Sequence, residues 1–147
     1  SYPFQPMYIH SDMGIADDRV GDRMKTSYCY NTMRKMGIRL AAGSDLPIES
    51  PQVLEAIQVS VTRKNLSGWP EGGWHPEEAF DVLDAVKLHT VNGAYVSKDE
   101  NKYGSIEVGK QANFVLLSGD VFEVEKDKIK DIEIMENYID GEREYQK

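Results

Sequence analysis

The sequence predicts an α/β fold with a β segment at its C-terminal end. Three observations carry that prediction. The stretch Ile38-Arg39-Leu40-Ala41-Ala42-Gly43-Ser44-Asp45 is mostly apolar and reads as a short strand buried on both faces. Helix-like segments with apolar stripes lie before and after it. The last third alternates short apolar runs with turn residues, ending in Asp140-Gly141, a strong hairpin signal.

The chain has 147 residues, 40% hydrophobic and 29% charged, enough for a real core. Its net charge of −8 argues against a nucleic-acid or anionic-membrane surface, since both need clustered Lys and Arg. No run of ~18 apolar residues is present, so no membrane span is expected. The one cysteine, Cys29, has no intrachain partner and reads as a packing residue. A reducing, cytoplasmic location is the default expectation. The chain opens directly on strand-like Tyr2-Pro3-Phe4, like the interior of a longer protein.

Residues 1–5 read as a strand. Asp17 and Asp18 suit the first turn of a helix running to about Met36, with Val20, Met24 and Tyr28 as one stripe and Gly37 at its end. The strand at 38–45 follows. It leaves through Gly43, which permits a tight exit, and places Asp45 at its C-terminal mouth. In parallel α/β folds that mouth is where ligands and catalytic groups collect. Taken alone, Asp45 reads more readily as a turn residue capping the next loop.

Ser50 is a plausible N-cap, with Pro51 at the first position of a helix that carries Leu54, Ile57 and Val61 to about Arg63. Residues 64–75 read as a glycine-rich loop holding Trp69 and Trp74. The tryptophans are either a lid over an apolar substrate or anchors that pin the loop. Pro76 starts a helix to about 91, with Ala79, Leu83 and Val86 on one face. His89, near that helix's end, reads as structural. Gly104 and Gly109 bracket a turn-and-strand piece. Lys126–Lys130 reads as a solvated linker. Phe114–Leu117, the run from Ile132 to Ile139 and the return segment Glu142–Gln146 read as strands.

The series Tyr2-Pro3-Phe4-Gln5-Pro6, Gly43-Ser44-Asp45, Val61-Thr62-Arg63, Thr90-Val91-Asn92-Gly93-Ala94 and Gly104-Ser105-Ile106-Glu107-Val108-Gly109-Lys110-Gln111-Ala112-Asn113 has a family likeness. It resembles the C-terminal part of the metal-dependent amidohydrolase superfamily, in the branch that includes N-substituted formamide deformylases. The resemblance implies the end of a TIM-like (β/α)8 barrel in residues 1–98. For residues 99–147 it implies strands of a small composite β-sandwich. It implies a divalent metal, zinc foremost, at the barrel mouth, with Asp45 as metal ligand and proton carrier. The family's His-x-His is absent: His10, His75 and His89 lack that spacing. Where many members carry histidine two residues after the Gln-Pro, this chain has Tyr8.

His10, close by, is a candidate substrate contact or a rim histidine bonded to loop backbone. Arg63 either joins a structural ion pair or faces substrate. One aspartate cannot supply the roughly three protein ligands of a catalytic zinc site. The implied function is therefore hydrolysis of amide-like carbon–nitrogen bonds in small molecules by a complete protein. This piece alone is expected to be inactive and to depend on the missing N-terminal part. A non-catalytic regulatory or binding module derived from such a hydrolase is the alternative. Open strand edges predict self-association.

Overall fold

A computed structural model describes residues 1–147. Strand β1 (Tyr2–Phe4) is followed by three short helices, α1 (Met7–Asp12), α2 (Ala16–Val20) and α3 (Tyr30–Lys35). The chain then returns as β2 (Leu40–Ala42), parallel to β1, with Tyr2 opposite Leu40 and Phe4 opposite Ala42. Helix α4 (Val53–Thr62), α5 (Val82–His89) and α6 (Val91–Val96) come next. The C-terminal part is an antiparallel sheet of β3 (Phe114–Leu117), β4 (Ile134–Ile139) and β5 (Glu142–Gln146), in that spatial order.

Helix α4 is the centre of the molecule. Residues 56–61 are all buried, so the helix is covered on every side rather than along one stripe. Ile57 and Val61 join Phe4, Leu40, Phe80, Ala85, Leu88, Ile129 and Ile132 in one core. Ala56 and Val59 join Met7, Ile9, Met13, Met24 and Trp74 in a second. One helix therefore ties the β1–β2 sheet, the first helices and the C-terminal part together. Its buried polar groups are satisfied: the Ser60 hydroxyl donates to the Ala56 carbonyl, and Gln58 Oε1 accepts from the Lys130 amide at 2.9 Å.

Several sequence expectations need correcting. The helix expected over 17–36 is broken into α2, a 3-10 turn at Gly21–Thr26 and α3. Gly21 (φ 59°) and Tyr28 (φ 51°) leave the helical region, so the spacing-four stripe does not run through one rod. Ser50 is not the cap of α4. Gln52 occupies that position, while the Ser50 hydroxyl donates to Glu55 at 2.6 Å. Pro76 opens only a 3-10 turn, and α5 starts later, where Asp81 accepts the Asp84 amide. Ala85 and Leu88 fill the core from α5, whereas Leu83 faces out.

Residues 105–108 form no strand. Lys126–Asp131 is a 3-10 turn, not a solvated linker: Ile129 is fully buried against α4 while its lysines remain outside. Ile38 is exposed, so the buried part of the second strand is Leu40–Ala41. The C-terminal hairpin forms as the Asp140-Gly141 signal requires, with both residues at positive φ.

Candidate active site

Strands β1 and β2 run parallel, so their C-terminal ends open on the same side. β1 leaves through Gln5-Pro6 directly into α1, and β2 leaves through Gly43-Ser44-Asp45. The two exits meet. The Tyr8 hydroxyl, on the first turn of α1, donates to Asp45 Oδ2 at 2.6 Å. One turn on, the Ser11 hydroxyl donates to Glu49 at 2.5 Å. Spacing of three places Tyr8 and Ser11 on the same helical face, and that face is laid against the loop after β2.

Asp45 is solvent-exposed and adopts a left-handed backbone (φ 57°), which aspartate tolerates better than most residues. Its carbonyl accepts the Ile48 amide at 2.8 Å, so the turn is closed on both the main-chain and side-chain sides. Oδ1 of Asp45 carries no hydrogen bond within the chain. The hydrogen bond to Asp45 raises the pKa of the Tyr8 hydroxyl above the usual phenol value, since that bond is lost if the proton leaves.

No hydrogen bond or ion pair connects Asp45 to His10, Arg63, Trp69 or Trp74. His10 turns to the glycine-rich loop, where Nδ1 accepts the Leu66 amide at 3.2 Å. Arg63 is 1% exposed and makes no ion pair. Its Nε donates to the Trp74 carbonyl at 2.9 Å and Nη1 to the Tyr28 carbonyl at 3.3 Å, while Nη2 is buried without a partner. Burial pushes its pKa down to about 10. The tryptophans divide. Trp74 is buried, packs edge-on against Tyr28 and donates to Asp17 at 2.7 Å. Trp69 is half exposed.

Arg63 and Trp74 also clasp the loop between them. The Trp74 amide donates to the Arg63 carbonyl at 2.6 Å, beside the Arg63 side-chain bond in the other direction. Gly73 fits because a Cβ there would lie 2.5 Å from the Thr62 carbonyl oxygen. Inside the ring, Asn65 Oδ1 accepts the Ser67 and Trp69 amides.

The residue that sequence reasoning missed is Tyr8. Its signal was present: it follows a strand exit by a few residues, as Asp45 does. By type alone it stands out only as a tyrosine where the family this chain resembles often carries histidine.

Nowhere do three His, Cys, Asp or Glu side chains converge. Asp45 with Tyr8 offers one carboxylate and one phenol, short of the three protein ligands a catalytic divalent metal needs. These residues alone do not fit such a metal.

The model of the amidohydrolase family matches residues 1–145. The chain is 36% identical over 144 residues to YtcJ of Bacillus subtilis, described as an amidohydrolase; the match covers 97% of this chain and 27% of that protein. It is 28% identical over 116 residues to the N-substituted formamide deformylase of Arthrobacter pascens, covering 79% of this chain and 21% of that enzyme. Among solved structures, an amidohydrolase from Thermotoga maritima aligns with a TM-score of 0.60 at 23% identity, over 82% of this chain and 26% of that one. The chain thus spans about a quarter of the length of the relatives it matches.

Proposed function

The chain belongs to the amidohydrolase family, and from that premise we propose that it supplies the acid–base rim of a metal-dependent hydrolase acting on amide-like, non-peptide carbon–nitrogen bonds of small molecules. The observation that carries this reading is the meeting of Tyr8 and Asp45 at the joint C-terminal exit of two parallel strands. A relative named N-substituted formamide deformylase supports the bond type. In this reading the two strands are the last two of a (β/α)8 barrel, and residues 99–147 belong to a separate small sandwich.

Asp45 takes the proton of the attacking water and returns it to the departing nitrogen. Tyr8 holds Oδ2, which leaves Oδ1 without a partner in the chain and free to exchange the proton. A divalent metal, with zinc as the expected ion, would polarise the carbonyl and acidify water when bound. Asp45 would be one donor towards it, and the further ligands would have to come from outside these residues. The 147 residues alone are accordingly inactive.

The test is Asp45→Asn in a full-length protein carrying this segment. kcat should fall by a factor on the order of 10² or more, as loss of a positioned acid–base does, with an unchanged melting temperature. Near wild-type turnover would overturn the assignment.

A further inference from the structure

At the opposite end of β2 from Asp45 lies a second cleft, of about 230 Å³. Arg34, Arg39, Lys87, Asp84, Asn92 and Leu40 line it. Three cations stand there against one carboxylate, in a chain whose net charge is −8. That concentration of positive charge runs against the character of the whole surface.

The pairing inside the cleft leaves charge uncancelled. Asp84 is held by Arg34 Nη1 at 2.6 Å, and Arg34 Nε donates to Asn31 at 2.9 Å. Lys87 reaches the same carboxylate only at 3.8 Å. Arg39 meets no carboxylate. Its guanidinium lies over the Tyr95 ring at 3.9 Å, which fixes its plane without neutralising it. Asn92 adds an amide donor. The donor set is one of forks and an ammonium, with Leu40 as an apolar floor, and it suits an oxyanion with several acceptor oxygens. A volume of about 230 Å³ exceeds that of a single oxyanion and leaves room for an organic body beside it.

We propose that this cleft is a binding site for a phosphate-bearing small molecule, held by Arg39 and Lys87 and separate from the Asp45 rim. The uncancelled charge, the fixed guanidinium plane and the concavity each point to it. It does not depend on the hydrolase reading.

The probe is inorganic phosphate added to the 147-residue protein, followed by isothermal titration and by 31P line broadening at constant ionic strength, with chloride as control. Saturable phosphate binding is expected, with chloride inert. Arg39→Gln and Lys87→Gln should each weaken it about tenfold or more, the scale of one lost charge-assisted bond. Asp84→Asn, which removes the one competing carboxylate, should tighten it. Unchanged circular dichroism and melting without phosphate would show that these variants fold. No saturable binding, equal effects of chloride, or indifference to Arg39→Gln and Lys87→Gln in folded protein would each overturn the proposal.

Discussion

Two buried groups show what single residues contribute. Arg63 is an enclosed cation that forms no ion pair and is held by main-chain carbonyls of Trp74 and Tyr28. The Val-Thr-Arg segment revealed that an arginine stands there but not its partners, which are backbone groups 11 and 35 residues away. His89 is simpler. Burial pushes its pKa down from 6.5 to about 4, and Nε2 has no partner. The folded state therefore holds it neutral, while the unfolded chain protonates it near 6.5. Between those values the unfolded state binds more protons, so stability rises with pH across the window and is lost as pH falls from about 6.5 to 4. The shift corresponds to ~3 kcal/mol. His89→Leu should flatten that part of the stability–pH curve and change little at pH 7. Urea midpoints at pH 7, 5.5 and 4.5 measure it, and an equally steep fall in the variant would refute it.

At the scale of elements, the C-terminal strands and the final hairpin were legible because their signals are local, whereas the piece between Gly104 and Gly109 forms no strand. Asp140-Gly141 sets its own turn, and Phe114–Leu117 and Glu142–Gln146 form where their patterns place them. Helix limits were less legible. A stripe at spacing four continues past a break, and nothing in Val20, Met24 and Tyr28 announces that Tyr28 turns back to donate to Asp12. Caps were misplaced for the same reason: Ser50 and Pro76 look like starts, but the chain bends first. The cap that forms is Asp81, bonded to the Asp84 amide at 2.7 Å. Asp81→Ala should cost about 1 kcal/mol. A shift of the urea midpoint at constant m-value is the readout, and a change below a few tenths of a kcal/mol would show that α5 is fixed by packing alone.

Across the whole molecule, the family was legible from motifs spread along the chain, whereas the Tyr8–Asp45 contact was not. It joins residues 37 apart and exists only because two strands pair in parallel. The same pairing leaves exposure. β1 and β2 bond only to each other, so each has one edge without a strand partner. Phe114, Val115, Leu116, Ile134 and Tyr145 of the C-terminal sheet are exposed in part. Apolar patches of this kind draw in other chains. The isolated chain should therefore self-associate at micromolar concentration. Light scattering decides it, and a concentration-independent mass of 16.7 kDa would refute it. Dialysed protein should also hold well under one zinc per chain, because Asp45 lacks co-ligands; stoichiometric tight zinc would show a ligand set that the fold does not display.

The clasp between Arg63 and Trp74 has a bearing on descent. It shuts a ring of residues at its base, with Asn65 organising the interior. Only the tip, at exposed Glu71-Gly72, stands clear of the body, and lengthening it costs a slowly growing closure entropy. Nearer the base, Leu66 packs against the second core and its amide donates to His10. The tip is thus an exchangeable cassette. Lineages can lengthen the tip while inheriting the rest intact, and an engineer can insert libraries at Glu71-Gly72, outside the contacts of Asn65 and Leu66.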